Sequence, residues 1–170
     1  NQKLLILYIN PKQEINKLGT IFSKLKSELS LKGSVALIRK KKGMKEIVLE
    51  GENFIEEKLG ENIFHIGAQS FFQINDELLQ EVIKDLKEII PLGGKERIAD
   101  LYCGVGTFGI TLASRAKEVI GVESAGENID FLKKNLELNR IRNFTIREGL
   151  SEEWISWILK RDADVLIIDP

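Results

Sequence analysis

The chain has 170 residues, of which 43% are hydrophobic and 30% charged, enough for one globular domain or a small domain with part of a second. The net charge of −1 excludes a strong overall attraction to nucleic acid, so any nucleic-acid surface must be local. A single cysteine excludes a disulfide framework and a cysteine-rich zinc site, and no run reaches the ~20 apolar residues of a bilayer span, so we expect a soluble cytoplasmic protein without membrane contact.

The first part of the chain predicts a small α+β domain. Apolar residues recur at steps of three and four over residues 15–29, which is typical of an amphipathic helix. Short apolar runs predict strands over residues 3–9, 34–39, 45–49 and 63–66. We place the end of this domain at residue 68, so the predicted domains are 1–68 and 69–170.

The second part begins with a long helix, predicted over residues 76–90, and then alternates strands with helices. The strands are predicted over residues 97–102, 118–122, 144–147 and 165–168. The helices between them are predicted over residues 107–116, 128–139 and 151–161. Such alternation with continuous apolar strands favours a doubly wound parallel sheet with helices on both faces. A ligand is then expected at the carboxyl ends of the strands.

A glycine-rich loop follows the first strand of this alternation. Gly104, Gly106 and Gly109 have the spacing G-x-G-x-x-G and open the next helix, where glycine lets backbone N–H groups approach a ligand. Glu123 ends the following strand, at the distance expected for a carboxylate that binds ribose hydroxyls. The alternative is that the glycines serve only the turn and Glu123 is a solvated strand end. Because the glycine loop and Glu123 both occur at the positions expected for such a site, we favour a nucleoside-containing cofactor.

Two further carboxylates bear on the choice of cofactor. Nicotinamide dinucleotides and S-adenosylmethionine both contain ribose, so Glu123 cannot distinguish them. Asp100, inside the first strand, would repel a pyrophosphate but suits the positively charged aminoacyl end of S-adenosylmethionine, directly or through water. Asp169 ends the fourth strand beside the expected site, although by itself it is better interpreted as part of a turn.

Four segments in order resemble the RNA uracil-5 methyltransferases, which modify uridine in rRNA or tRNA with S-adenosylmethionine. The segments are SFFQIN (70–75), DLYCGVGTFG (100–109), VIGVES (119–124) and IIDP (167–170). The resemblance covers roughly residues 63–170, and the preceding part is similar to the family's central domain. It implies an α/β fold: a Rossmann-like methyltransferase domain, incomplete at the C-terminus, preceded by a small α+β domain.

The resemblance also implies a set of cofactor contacts at Gln73, Tyr102, Glu123 and Asp169. An amide such as that of Gln73 offers a donor and an acceptor to the zwitterionic methionine end, and Tyr102 offers a flat apolar face with a polar tip. Without the resemblance, both would be interpreted as structural residues. The full candidate set for binding S-adenosylmethionine is Gln73, Asp100, Tyr102, Gly104, Gly106, Thr107, Glu123 and Asp169.

Cys103 is not expected to be the nucleophile that this chemistry needs. The resemblance implies addition of a cysteine thiolate to carbon 6 of uracil, methyl transfer to carbon 5 and removal of a proton by a base. Its nucleophile and base lie beyond the Asp-Pro motif, so no catalytic residue is assigned within residues 1–170. Cys103 lies in the cofactor loop and should be a small buried residue.

We expect this chain to bind the cofactor, to be inactive alone, and to be marginally stable or self-associating, because the last strand predicted here would be an open edge. One departure from the family is Gly149-Leu150, where an Asp or Asn usually reaches the adenine amine; adenine recognition must use the backbone or another side chain. The alternative functions are a nucleobase N-methyltransferase and a non-catalytic nucleotide-binding module.

Overall fold

The structure is a computed structural model that describes residues 2–9, 19–40, 43–70, 72 and 76–170. It contains two compact units, Asn1–Glu57 and Lys58–Pro170. No helix among the described residues is both long enough and apolar enough to cross a membrane.

The first unit is built on a three-stranded sheet. Its elements are β1 (Leu4–Ile9), α1 (Gly19–Leu29), β2 (Gly33–Arg39) and β3 (Met44–Gly51). β2 lies in the centre, parallel to β1 and antiparallel to β3. A parallel pair needs a crossover connection, and α1 lies in the connection between β1 and β2. The predicted start of this helix, residue 15, lies outside the described residues.

The remaining elements run from β4, in which the boundary between the units falls, to β9. A two-stranded sheet is formed by β4 (Phe54–Leu59) and β5 (Asn62–Gly67). The helices that follow are α2 (Asp76–Ile89), α3 (Thr107–Ala113), α4 (Gly126–Leu138) and α5 (Ser151–Leu159). The strands among them are β6 (Arg97–Leu101), β7 (Glu118–Glu123), β8 (Phe144–Glu148) and β9 (Val165–Ile168).

These last four strands form one parallel sheet in the order β8-β7-β6-β9. Successive residues of a strand point to opposite faces, and β6 shows this clearly. Ile98 belongs to an apolar cluster with Leu112 of α3, whereas Ala99 belongs to a second cluster with Ile158 of α5. Helices therefore cover both faces, and the predicted doubly wound α/β fold is confirmed. Its topology brings the carboxyl ends of β6, β7 and β9 to one rim.

The hairpin strand β5 belongs with the second unit because α4 binds its backbone. Asn135 accepts a hydrogen bond from the His65 N–H (2.8 Å) and donates one to the His65 carbonyl (3.2 Å). Asn139 does the same with Ile63, at 2.9 and 2.7 Å. Alternate residues of a strand lie about 6.6 Å apart and helical residues i and i+4 about 6 Å apart, so two amides on one helix can match one strand. The division between the units therefore precedes β5 and lies earlier in the chain than the boundary predicted at residue 68.

Candidate functional site

A cavity of about 260 Å³ lies at the carboxyl ends of β6, β7 and β9. Five residues predicted from the sequence line it: Tyr102, Gly104, Thr107, Glu123 and Asp169. Residues at the ends of separate strands thus line one cavity, as expected for a doubly wound sheet. Among the described lining residues none carries a positive charge, while Glu123 and Asp169 are acidic. Such a lining suits a ligand that carries positive charge better than it suits a pyrophosphate.

The loop between β6 and α3 depends on glycine at two positions. Gly106 has a φ of +92°, and a Cβ there would lie 2.5 Å from Cδ1 of Leu132. Gly109 lies on the first turns of α3, where a Cβ would lie 2.5 Å from the Phe144 ring. The first glycine therefore allows the turn, and the second allows α3 to approach the sheet closely.

Asp100 organises this loop from inside the protein. It is 1% exposed, and its Oδ2 accepts a hydrogen bond of 2.9 Å from the Gly109 N–H. Burial raises the pKa of the Asp100 carboxyl to about 7; the Gly109 hydrogen bond opposes the rise, and Asp169 and Glu123 add to it. Asp100 is not among the residues that line the cavity. Its predicted place near the aminoacyl end of the cofactor stays a prediction.

Glu123 is held in position by three backbone donors. Its Oε2 accepts from the Gly104 N–H at 2.9 Å, and its Oε1 accepts from the N–H groups of Ser124 and Ala125 at 2.7 Å each. The carboxylate therefore joins the glycine loop to the turn that precedes α4. A carboxylate has about four lone-pair positions, so acceptor capacity remains for a ligand in the cavity. The predicted contact with ribose hydroxyls is compatible with this arrangement and stays a prediction.

Tyr102 is fixed by the start of α5. Its N–H donates to Oγ of Ser151 (3.2 Å), and its hydroxyl donates to Oε1 of Glu152 (2.7 Å). The hydrogen bond to Glu152 raises the pKa of the Tyr102 hydroxyl. Tyr102 has a φ of +59°, an uncommon conformation for a residue with a side chain, at the point where the chain leaves β6.

The segment before α2 reaches the cavity through Phe72. The predicted contact residue Gln73 lies outside the described residues. Three residues before Phe72, the described chain is anchored: Gln69 donates its backbone N–H to Oε1 of Glu127 (3.0 Å), and its side-chain amide donates to the other oxygen. The start of α4 therefore holds the segment that leads to the cavity.

Cys103 behaves as a buried thiol. It is 7% exposed, and its N–H donates to the Val122 carbonyl at 3.0 Å. Burial raises the pKa of the Cys103 thiol well above its usual range, and the nearby carboxyls of Asp100 and Glu123 add to the rise. At neutral pH the group is protonated, and a thiol is a poor nucleophile.

Several lining residues lie outside the predicted set, and among them Asn128 carries a polar side-chain amide. It lies in the first turn of α4, where a polar residue is ordinary, so the sequence holds no signal for a site. Its Oδ1 is buried, yet no described residue donates a hydrogen bond to it. Gly149 and Leu150 stand where the family usually has an Asp or Asn. Neither residue lines the cavity, and Leu150 is exposed. Within the described residues, no cluster of three or more His, Cys, Asp or Glu could hold a metal ion.

The sequence model of one protein family, described as tRNA (uracil-5-)-methyltransferase, matches residues 2–164. Two uncharacterized RNA methyltransferases, from Halalkalibacterium halodurans and Clostridium acetobutylicum, are each 34% identical to the chain, over 180 and 176 residues. Each match covers 99% of this chain and 38% of the relative, so the chain spans well under half the length of these proteins.

Among solved structures, the tRNA (uracil-54, C5)-methyltransferase of Pyrococcus abyssi, in complex with S-adenosyl-L-homocysteine, is similar with a TM-score of 0.57 and 28% identity. The match covers 70% of this chain and 30% of that chain.

Proposed function

This chain belongs to the tRNA (uracil-5-)-methyltransferase family, and on that premise we propose that it is the S-adenosylmethionine-binding part of an enzyme that methylates carbon 5 of uridine in tRNA or rRNA. The proposed partner is therefore an RNA, encountered in the cytoplasm.

The observation that carries the proposal is the cavity at the β6, β7 and β9 rim. The glycine loop that lines the cavity allows a ligand to approach its backbone. The charged lining residues, Glu123 and Asp169, are both negative. S-adenosylmethionine carries a positive sulfur and an ammonium group, whereas a dinucleotide carries a negative pyrophosphate. The lining therefore supports the former cofactor over the latter.

Three of the predicted contacts line the cavity, in environments that are compatible with their proposed roles. Glu123, already oriented by three backbone N–H groups, would accept from the ribose hydroxyls. Tyr102 also lines the cavity, where it would contact the cofactor. Gln73, which lies outside the described residues, is proposed on the resemblance to bind the aminoacyl end. Asp169, exposed at the end of β9, would face the incoming base. When bound, S-adenosylmethionine supplies an electrophilic methyl group.

Methylation at carbon 5 also needs a nucleophile that adds to carbon 6 of uracil, because carbon 5 alone is too weakly nucleophilic. Cys103 is the only cysteine of this chain, and its buried, protonated thiol is unsuited to the task. We therefore propose that the chain binds the cofactor but does not catalyse the transfer alone.

Calorimetric titration with S-adenosyl-L-homocysteine and NAD tests the cofactor assignment. We expect saturable binding of the former and none of the latter. Tight NAD binding without S-adenosyl-L-homocysteine binding would overturn it. Release of tritium from RNA labelled at carbon 5 of uridine tests activity, and turnover by the 170-residue chain would overturn the proposal that it is inactive alone.

A matched pair of variants ties the result to the cavity. Glu123→Gln keeps the shape but removes the charge, and we expect a loss of affinity of about tenfold or more. Glu148→Gln is the control, because Glu148 pairs with Glu123 in the register of β7 and β8 but is exposed. Equal affinities of the two variants would contradict the role of Glu123.

A further inference from the structure

One end of the three-stranded sheet in the first unit carries a concentration of positive charge. β2 ends at Arg39, and the backbone N–H of Lys40 donates to the Gly43 carbonyl at 3.0 Å before β3 begins. The segment 39–45, RKKKGMK, holds five basic residues and no acidic one, in a chain whose net charge is −1. Two of the five lie outside the described residues, and the other three, Arg39, Lys40 and Lys45, are exposed.

These three residues, here called the basic hairpin end, form no ion pair with any carboxylate among the described residues. Other lysines of the same unit do find acidic partners. Lys24 pairs with Glu28 at 3.9 Å, and Lys26 pairs with Glu50 at 3.4 Å. An exposed cluster of like charges without counter-charges attracts a polyanion.

An aromatic side chain lies near the same end of the sheet. Tyr8 of β1 is 76% exposed and pairs with Leu37 of β2 in the parallel register. Arg39 is two residues further along β2, and alternate residues of a strand share a face, so Tyr8 and Arg39 lie on one face of the sheet. Glu46, which pairs with Leu37 from the other side, shares this face and accepts a hydrogen bond from the Asn53 amide at 2.9 Å. The face therefore combines an exposed ring with an exposed cation.

The cations surround the hairpin end, because they do not all lie on this face. Lys45 pairs with Ile38 in the antiparallel register, and Ile38 is the neighbour of Arg39 in β2. Lys45 and Arg39 therefore lie on opposite faces, and Lys40 follows β2 between them. A chain of phosphates can contact several of these cations at once, whereas a small anion cannot.

RNA offers both of the groups that this surface suits. Its backbone phosphates complement the cations, and its bases stack on exposed aromatic rings. We propose that the basic hairpin end and Tyr8 form an RNA-binding surface, in which the three cations contact phosphates and the Tyr8 ring stacks on a base. The inference rests on the proposed function, which makes RNA the substrate, and it assigns a surface of the first unit that cofactor binding does not use.

Fluorescence anisotropy with a labelled, unmodified tRNA transcript, at several KCl concentrations, tests the charged part of the surface in the 170-residue chain. The triple variant Arg39→Gln, Lys40→Gln and Lys45→Gln should bind about tenfold more weakly at low salt. Its log–log slope of affinity against salt should be shallower by about 2 to 3, because three fewer phosphate contacts release counterions. Unchanged affinity and slope would overturn the proposal.

The matched control is the triple variant Lys95→Gln, Lys117→Gln and Arg142→Gln, which makes the same change in charge and composition. These exposed residues precede β6, β7 and β8, at the end of the parallel sheet opposite the cavity. The control should retain the affinity and the salt slope of the unaltered chain. An equal loss in the two triple variants would show that only net charge matters, and it would overturn the proposal.

Tyr8→Ala tests the ring separately from the charge. The loss of one stacked base should weaken binding of the transcript about tenfold without changing the salt slope, and Tyr8→Phe should bind normally because it keeps the ring. Inorganic polyphosphate supplies phosphates without bases, so the cation triple variant should bind it more weakly and Tyr8→Ala should bind it normally. An equal loss of both ligands in Tyr8→Ala, or no loss of either, would overturn the stacking role.

Two further measurements separate this inference from the proposed function. All variants should keep the Tm of the unaltered chain and its affinity for S-adenosyl-L-homocysteine, because the altered side chains are exposed and none lines the cavity. If the unaltered chain binds S-adenosyl-L-homocysteine but not the transcript, this inference fails and the cofactor assignment stands. If it binds the transcript through the basic hairpin end but not S-adenosyl-L-homocysteine, the proposed function fails and the RNA-binding surface stands.

Discussion

Two regions that contribute to the cavity differ in how firmly the protein holds them. The β6–β7 rim, residues 102–106 with 123–125, is tied together by the three hydrogen bonds to Glu123. The β9 edge, residues 165–170, ends in Asp169, which is exposed and forms no hydrogen bond with any described residue. One carboxylate is thus built into the fold, and the other is free to meet a ligand.

This difference suggests that the two carboxylates have separate roles. A carboxylate with three fixed donors keeps its geometry before any ligand arrives, which suits a residue that orients a cofactor. A carboxylate on an open strand end can adjust to a substrate. Four predictions test whether the β6–β7 rim is the rigid region and the β9 edge the adaptable one.

The largest effect is expected from the ionisation of Asp100 beneath the β6–β7 rim. Its folded pKa of about 7 lies above the ~3.9 of an ordinary Asp, so the folded chain binds more protons than the unfolded chain between these values. Its contribution to stability is complete below pH ~4 and is lost as the pH rises through about 7. Relative to Asp100→Asn, the chain should lose about 4 kcal/mol of unfolding free energy between pH 4 and 8.

Urea denaturation of both proteins across this pH range measures the difference. A difference that is constant with pH would show that the carboxyl is hydrated, and the rim would then be less rigid than described.

The next effect is steric. Gly106→Ala places a Cβ at a φ of +92° and 2.5 Å from Leu132, so we expect a loss of about 3 kcal/mol of unfolding free energy. Gly104→Ala is the control on the same loop. It has a φ of +56° but open space around the new Cβ, and it should cost about 1 kcal/mol. Equal costs would mean that the loop shifts to relieve the clash.

The two carboxylates can be compared directly. Glu123→Ala leaves three backbone N–H groups without their acceptor and should cost about 2 kcal/mol, whereas Asp169→Ala should change stability by less than about 0.5 kcal/mol. Denaturation in the absence of ligand measures both. A large cost for Asp169→Ala would remove the contrast between rim and edge.

The smallest effect concerns the outer side of β9. Within the described structure no strand pairs with that side, and Ile168 is 57% exposed, so we expect weak self-association. Ile168→Lys should weaken it about tenfold, or about 1.4 kcal/mol, in sedimentation equilibrium. Leu159→Lys, an equally exposed position on α5, should have no effect. A chain that is monomeric at every concentration would contradict the prediction.

The sequence predicted the features that depend on a local pattern of residues. Alternating strand and helix signals predicted the parallel sheet, and the glycine spacing together with Glu123 predicted the rim. β4 was missed because its sequence, FIEEKL, groups its charges and lacks the alternation of a half-buried strand. α3 ends early, at Ala113 instead of residue 116. The Arg115 carbonyl accepts a hydrogen bond from Gly94, and the Arg115 guanidinium donates to the carbonyls of Lys87 and Leu92, distant contacts that a local pattern does not reveal.

Other features could not be predicted because they depend on approach between distant segments. Asn128 and Asn135 both look like polar residues of an amphipathic helix, yet one lines a cavity and the other is completely buried. Nothing in the spacing of α4 shows that β5 will lie beside it. The positive φ of Tyr102 is equally hidden, since any residue can follow a strand.

The contact between α4 and β5 also determines how β5 is aligned along the helix. Residues 63 and 65 direct their peptide groups to Asn139 and Asn135, so a slip of β5 by one position would present residues whose peptide groups point the other way. Two carboxamides would then lose their partners on β5. Asn135, which has no access to water, would keep only its hydrogen bond to the Val105 carbonyl. Side chains of the helix thus specify where β5 lies, a constraint that acts in addition to any imposed by the hairpin turn.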